Sequence, residues 1–328
     1  MKKTLLLCGS LLMAVALILV SCKKDEEVNP TVNKYFSVEN ATLVKKNMPE
    51  PTSDAEISMS MNTSAIPGGS SIVSIQSERT AKKILVGMKD QSGYYEMVPD
   101  ARGAYSFVVM VNQDIPMEGE NPSFVVQVAI EDENGAVSKI CESSIHLIVV
   151  GTGTLQVSLS FDNAKDVDLH LIEPEHNGSD GEPVSFSNRH IYYYNSIVES
   201  GGELDLDSNP SCDIDNINNE NITYSENAFV PAGLYKVYVD LFENCDPSIA
   251  TNYVVTVFYG GTLIARQAGV FPVDAPSTYN PIEEDYVAQH EPFLTFSIAD
   301  HGQKCTQTFS PVAVSESAKE KEANAVHQ

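Results

Sequence analysis

The segment DVDLHLIEP, residues 166–174, alternates apolar with polar side chains. Three apolar residues alternate with three polar ones, namely Val167, Leu169 and Leu171 with Asp166, Asp168 and His170. Because successive side chains of a β-strand point to opposite faces of the sheet, this pattern predicts a strand with one buried face. Asp is disfavoured in strands, and two carboxylates two positions apart share a face and repel each other. The segment therefore predicts a β-fold and indicates that something compensates the paired acids.

The rest of the chain carries the same strand-like signal, and no segment shows sustained helical periodicity. Short alternating runs separated by turn signals such as Pro67-Gly68-Gly69 and Gly260-Gly261 are typical of β-sandwiches. Further predicted strands cover residues 35–44, 55–62, 71–77, 83–88, 105–112, 123–131, 145–150, 154–162, 201–207, 233–242, 252–259, 262–270 and 293–298. The sequence predicts an all-β protein with an N-terminal immunoglobulin-like sandwich (35–150) and a C-terminal sandwich or jelly-roll-like domain (151–305).

The N-terminus has the organisation of an export signal. Two lysines precede an apolar run from Leu5 to Val20, and Ser21-Cys22 follows it. Residues 1–21 resemble a bacterial lipoprotein signal peptide, in which Cys22 is acylated and becomes the mature N-terminus. The apolar run is nearly long enough to span a membrane, so an uncleaved anchor is the alternative interpretation.

The residues after Cys22 indicate where the protein is displayed. Residues 23–27, KKDEE, resemble the charged sorting signals of surface-exposed lipoproteins in some Gram-negative bacteria. We therefore expect a lipid anchor in the outer membrane, display on the cell surface and a flexible linker over residues 22–34. A plain solvated tether is the alternative. Residues 306–328, rich in Ser, Ala, Glu and Lys, are expected to be a disordered tail.

The composition excludes some classes of partner. The formal net charge of −25 leaves no basic patch that could release counterions from phosphates, so we expect no nucleic-acid binding. The chain has no Trp, which excludes a Trp-lined sugar cleft. An acidic surface is common in exported proteins and is weak evidence for cation binding.

Four cysteines remain after Cys8 in the signal and Cys22 at the anchor: Cys141, Cys212, Cys245 and Cys305. An exported protein can form disulfides, and four cysteines permit three pairings. We favour a Cys212–Cys245 bridge because both residues lie in loop-like stretches of the second domain. Cys141 lies in a strand-like stretch and fits a buried free thiol.

Four motifs occur in a fixed order in the second half, namely DVDLH (166–170), GGELDLD (201–207), NENI (219–222) and PAGLYKV (231–237). This order resembles the YfaP-like family of bacterial secreted domains, over roughly residues 154–300. The resemblance implies a β-sandwich and says little about function, because the family is largely uncharacterised. This chain has an Asn- and Asp-rich insertion at 208–221 where the family has Gly-Pro before Glu-Asn.

The acidic motifs predict a metal site. Two strands that each carry paired carboxylates bring four or five acids together if they are neighbours, and Ca²⁺ takes six to eight oxygen ligands. The predicted ligands are Asp166, Asp168, Asp205, Asp207 and Glu220. The alternative is a solvated acidic sheet face. Zinc is a weaker interpretation, because His170 is a single imidazole among oxygens.

We expect no enzymatic activity, because HExxH, GxSxG and phosphate-loop motifs are absent. Tyr192, Tyr193 and Tyr194 could contact a glycan or a protein ligand, or they could be packing residues. The sequence thus favours a surface-exposed lipoprotein that acts as a non-catalytic binding or accessory module. The alternatives are a structural envelope protein with no ligand beyond the metal, and a hydrolase or hydrolase accessory.

Overall fold

A computed structural model describes residues 27–99, 105–116, 119, 121–279 and 282–299. The predicted signal peptide, Cys22 and the predicted tail lie outside these residues. Within them, nearly all regular structure is β, arranged as two sandwiches of two sheets each. The prediction of an all-β protein with two β-sandwiches is confirmed.

The first sandwich is immunoglobulin-like, and its described residues form ten strands. They are β1 (Phe36–Val38), β2 (Thr42–Val44), β3 (Ile57–Met61), β4 (Ser64–Ala65), β5 (Ser70–Ser77), β6 (Ala81–Met88), β7 (Tyr94–Met97), β8 (Ser106–Val111), β9 (Ser123–Asp132) and β10 (Cys141–Leu147). One sheet has the order β1-β8-β5-β3 and the other β2-β7-β6-β9-β10-β4. The parallel pair is β10 with β4. The two inner faces enclose a core of Val, Ile and Phe side chains.

The segment before β1 packs onto this sandwich, although residues 22–34 were expected to form a flexible linker. A 3₁₀ turn spans Val32–Lys34, and the Val32 side chain is fully buried. The N–H of Val28 donates to the Lys45 carbonyl. Burial of Val32 and these backbone hydrogen bonds hold the described part of the expected linker against the sandwich.

The described residues of the second sandwich form nine strands and one α-helix. They are β11 (Leu155–Phe161), β12 (Asp166–Ile172), β13 (His190–Ile191), β14 (Gly202–Leu206), β15 (Asn219–Tyr224), β16 (Gly233–Glu243), β17 (Thr251–Tyr259), β18 (Thr262–Phe271), α1 (Glu284–Gln289) and β19 (Leu294–Ile298). The sheets have the orders β14-β15-β11-β17-β18 and β13-β12-β16-β19. Short 3₁₀ turns cover Phe186–Asn188 and Pro210–Cys212. Gly260 and Gly261 join β17 to β18, and both have positive φ angles, which glycine adopts without strain.

The helix α1 was not predicted, because six residues are too few to show a helical period. It packs beside the β12–β16 sheet, where Ile172, Tyr238 and Ile282 form a small buried cluster. Among the residues described here, none of the helices has the length and apolar character needed to cross a membrane.

The two sandwiches dock through a buried polar interface. All seven residues of β11 are buried, because its apolar side chains face the second core and its polar ones face the first sandwich. Hydrogen bonds that cross the interface include Gln156 Nε2 to the Pro67 carbonyl, Thr256 Oγ1 to the Gly68 carbonyl, and the Ser70 N–H to Ser160 Oγ. The alternation in β11 therefore marks two different buried surfaces, and neither of them faces water.

Candidate metal centre

The strand β12 is buried on both faces. Val167, Leu169 and Leu171 enter the core of the second sandwich. Asp168 and His170 point to the opposite face and are also buried, with 3% and 0% of their surfaces exposed. The paired acids of the DVDLH motif are therefore not on a solvated face, and their repulsion is not screened by water.

Another buried acid, Asp240, lies opposite Asp168 on the neighbouring strand β16. In the antiparallel pairing of β12 with β16, Asp168 is the partner of Asp240 and His170 is the partner of Tyr238. Asp240 is 8% exposed. Directly opposed residues of like charge destabilise a sheet unless something compensates them.

Asp168, His170 and Asp240 form the first of two triads. One ligand atom from each lies within 4.8 Å of the other two. His170 Nε2 is 3.6 Å from Asp240 Oδ1, and its other ring nitrogen, Nδ1, is 2.9 Å from Nε2 of His190. This triad offers one imidazole nitrogen and two carboxylates.

Asp168, Asp207 and Glu220 form the second triad, again with one atom of each within 4.8 Å of the others. Glu220 lies on β15 in the opposite sheet and is 1% exposed. Its Oε2 accepts the backbone N–H of Leu169 at 2.6 Å. Asp207 follows β14 and is exposed to solvent. Asp168 is shared by both triads, and the second offers only oxygen atoms.

Several buried polar atoms of the two triads have no hydrogen-bond partner. They are Asp168 Oδ2, His170 Nε2, Glu220 Oε1 and Asp240 Oδ1. A buried polar atom without a partner costs about 1–3 kcal/mol, and more when it is charged. Four such atoms in two triads that share Asp168 could donate to a cation.

The protonation of the cluster reflects the same crowding. Burial, followed by the charges of Asp240, Asp166 and Asp207, raises the pKa of Asp168 far above its ordinary value. Burial, with Asp168 and Asp207 next, also raises the pKa of Glu220. Burial raises the pKa of Asp166 to about 7. Without a cation, this cluster therefore retains protons that ordinary carboxyl groups lose.

The five predicted metal ligands do not all lie together in the structure. Asp168, Asp207 and Glu220 come together, whereas Asp166 lies beside them and its Oδ2 accepts the N–H of Ser211 at 2.7 Å. The structure does not bring Asp205 together with the others, because it stands apart from both triads. Its carboxylate accepts the Gly151 N–H and the Asn221 side-chain amide.

A β-bulge explains the departure of Asp205. The pairing of β14 with β15 shifts register between Leu204 and Leu206. A bulge breaks the strict alternation of faces, so Asp205 and Asp207 have separate surroundings although they are two positions apart. Strict period-two reasoning from the sequence cannot detect this shift.

Sequence reasoning missed two residues of this buried cluster, Asp240 and His190. Asp240 was read only as part of the strand 233–242, although an Asp in the middle of an apolar strand is the same signal that drew attention to Asp168. His190 lies on the two-residue strand β13, and burial together with the neighbouring His170 lowers its pKa to about 3. The imidazole of His190 is therefore neutral.

The inserted loop beside the cluster is fixed by a disulfide. Cys212 and Cys245 are bonded, with their Cα atoms 5.7 Å apart, and Cys141 is a half-buried free thiol. The bridge ties the insertion to the end of β16. It holds Ser211, whose N–H binds Asp166, next to the acidic cluster.

The three consecutive tyrosines have unequal surroundings. Tyr192 stacks on His190 with ring centroids 4.1 Å apart, and Tyr193 packs edge-on against Phe242 at 5.3 Å. Tyr194 is 83% exposed. Tyr192 and Tyr193 therefore cover the histidines and the cluster, and Tyr194 is the ring that is open to a ligand.

A cleft of about 530 Å³ lies on the same sandwich, between the end of β12 and α1. Its polar lining includes Glu173, Arg189, Lys236 and Glu284, and Phe186 contributes an aromatic side chain. The cleft combines side chains of both charge signs with apolar surface.

Comparisons with known proteins add little. No protein-family model matches the chain, and no curated protein matches it. Similar solved structures include the crystal structure of BcpA, the major pilin subunit of Bacillus cereus, with 9% identity and a TM-score of 0.17 over 57% of this chain and 59% of the pilin. A second crystal structure, of a variant of the same pilin, has 10% identity and a TM-score of 0.18 with the same coverage. The chain thus spans less than two thirds of the pilin's length.

Proposed function

We propose that the protein is a surface-exposed lipoprotein of a Gram-negative bacterium that acts as a non-catalytic binding or accessory module, with calcium stabilising its second sandwich. The observation that carries the calcium part is the convergence of Asp168, Asp207 and Glu220 around unpartnered buried oxygens. All donors of this triad are oxygens, which suit a hard cation such as Ca²⁺. The exposed carboxylate of Asp207 gives the ion a route from solvent.

The anchoring part rests on the sequence of the N-terminus. Acylation of Cys22 would hold the chain in the outer membrane, because each buried CH₂ group contributes about 0.8 kcal/mol. Residues 23–27 would direct the protein to the cell surface. The Val28 N–H donates to the Lys45 carbonyl and Val32 is buried, so the chain is attached to the first sandwich from about residue 28 onward.

The binding part draws on two features of the second sandwich. Tyr194 presents an open aromatic face, and the cleft beside α1 offers Arg189 and Lys236 next to acidic groups. Aromatic rings and mixed polar groups serve both glycan and protein ligands. The order of motifs that resembles YfaP-like secreted domains is consistent with an exported, non-catalytic module.

The anchor is tested in cells. Cys22→Ser should leave an unprocessed or soluble product, and full retention of that variant in the membrane after signal cleavage would contradict the lipid anchor. Changing Lys24, Asp25 and Glu26 to Ala should protect the protein from protease added to intact cells. Digestion equal to that of the wild type would contradict a sorting role for these residues.

The binding role is tested with the soluble mature chain that begins after Cys22. Arrays of glycans and of bacterial and host surface proteins should identify a ligand that binds the protein when calcium is present. Tyr194→Ala or Lys236→Ala should weaken that binding. Tyr279→Ala, which removes another exposed ring, is the matched control. No binding on any array would favour a structural envelope protein, and turnover of an arrayed glycan or protein would favour a hydrolase.

A further inference from the structure

We propose that Asp168, His170 and Asp240 form a second cation site that takes a zinc-class dication beside the calcium site. It shares Asp168 with that site but does not depend on the calcium proposal. The two triads differ in chemistry, because one contains an imidazole nitrogen and the other only oxygens. Imidazole favours Zn²⁺ and similar transition ions, whereas purely oxygen sets favour Ca²⁺ or Mg²⁺.

The distance between His170 and Asp240 favours an ion over a direct contact. Nε2 and Oδ1 are 3.6 Å apart, which is too long for a hydrogen bond. Two ligands bound at about 2.0–2.2 Å to one tetrahedral zinc ion lie roughly 3.3–3.5 Å apart. Both atoms are buried and have no hydrogen-bond partner, as is also true of Asp168 Oδ2.

His190 is in the position of a group that orients a metal-binding histidine. Its Nε2 lies 2.9 Å from His170 Nδ1. When His190 accepts this hydrogen bond, His170 carries its proton on Nδ1, and the lone pair of Nε2 is directed to the two carboxylates. Such a hydrogen bond to the second ring nitrogen accompanies most metal-bound histidines. His190 is therefore assigned as a positioning residue and His170 as the ligand.

The surroundings shield the ion from solvent and place it where two strands meet. All three ligands are buried, and Tyr192 stacks on both histidines, with ring centroids 5.3 Å from His170 and 4.1 Å from His190. Asp168 and His170 lie on β12 and Asp240 lies on β16, so the ion would join two adjacent strands where their carboxylates are directly opposed. A water molecule would supply the fourth ligand.

The test uses the soluble mature chain, stripped of metal, saturated with calcium and titrated with Zn²⁺ by calorimetry. We expect one high-affinity equivalent, and X-ray absorption at the zinc edge should show one imidazole among oxygen ligands. His170→Gln should remove this equivalent, and His190→Gln should weaken it roughly 10- to 100-fold. His146→Gln, which changes an exposed histidine on the first sandwich, should have no effect.

The outcomes separate this proposal from the calcium proposal. A zinc site that disappears in His170→Gln, in a protein whose melting temperature does not respond to calcium, supports the second site alone. Zinc that calcium displaces fully, or zinc bound equally by His170→Gln and His146→Gln, overturns it. If His170→Gln does not fold, two other measurements test the proposal. A wild-type absorption spectrum without an imidazole ligand overturns it, and so does an unchanged zinc affinity of His190→Gln.

Discussion

Asp168 lies directly opposite Asp240 in the pairing of β12 with β16, and both carboxylates are buried. Opposed like charges destabilise a strand pair by up to about 1 kcal/mol even before burial is considered. This arrangement persists in a stable fold only if protons or a cation neutralise it. The relationship between these two residues therefore links the sheet register to the proposed chemistry of the site.

In chelator at pH 9 or above, where Asp168 gives up the proton that its raised pKa of about 9 retains at neutral pH, Asp240→Asn should stabilise the protein by up to about 1 kcal/mol, because Asp168 then has no like-charged partner opposite. In excess zinc the same variant should be less stable than the wild type, because it lacks one ligand. Urea unfolding in both conditions measures the two effects. Asp285→Asn, an exposed acid on α1, is the control, and a loss of stability in chelator for Asp240→Asn alone would contradict this account.

Asp207→Asn should weaken calcium binding by at least about tenfold, which corresponds to 1.4 kcal/mol. Asp205→Asn should leave the affinity nearly unchanged, because Asp205 binds Gly151 and Asn221 outside both triads. Calorimetric titration of the two variants forms a matched pair, since the residues are two positions apart in one motif. Equal losses in both variants would show that Asp205 is a ligand after all.

The metal-free protein should lose stability as the pH rises from about 5 to 8. Asp166 has a pKa of about 7 in the folded state against an ordinary value of 3.8, so the folded protein binds more protons than the unfolded chain between these values. The free energy of unfolding then falls with increasing pH. The raised pKa values of Asp168 and Glu220 act in the same direction.

The pH effect is measured as the difference between the wild type and Asp166→Asn in chelator, because other groups also titrate in this range. The wild type should have the steeper loss. Saturating calcium should reduce it, since the ion binds deprotonated carboxylates. A difference between the two proteins that stays constant from pH 5 to 8 would be inconsistent with a protonated Asp166.

Removal of the disulfide by Cys212→Ser with Cys245→Ser should cost about 3–4 kcal/mol in the chain-entropy model, for residues separated by 33 positions. It should also weaken calcium binding, because the loop carrying the Ser211 N–H loses its attachment beside Asp166. Chemical unfolding and calcium titration measure the two effects. Cys141→Ser is the control, and full stability of the double variant would contradict a stabilising bridge.

Most of the fold could be predicted because period-two alternation is a strong local signal. β12, β16 and β17 follow predicted strands closely. β13, with two residues, is too short for any period to show. The sequence predicts one strand over residues 35–44, whereas Asn40 adopts a positive φ angle and separates β1 from β2.

The candidate site was only partly predictable, because it depends on pairing between distant strands. Asp168, Asp207 and Glu220 could be grouped from the spacing of acidic motifs. Asp240 joins them only through the β12–β16 register, which the sequence does not state. A bulge in β14 separates Asp205 from the site, because its single extra residue changes which face of the sheet a side chain occupies.

The most direct test of the account is thermal unfolding of the soluble mature chain in millimolar calcium and in excess EGTA, with elemental analysis of the purified protein. We expect the melting temperature to rise with the logarithm of free calcium above the dissociation constant. At a hundredfold excess of calcium over that constant, the free energy of unfolding should increase by about 2.7 kcal/mol. Mg²⁺ should restore little, because it requires a smaller octahedral shell. An unchanged melting temperature, with no bound metal found, would contradict the claim that a cation neutralises the acidic cluster.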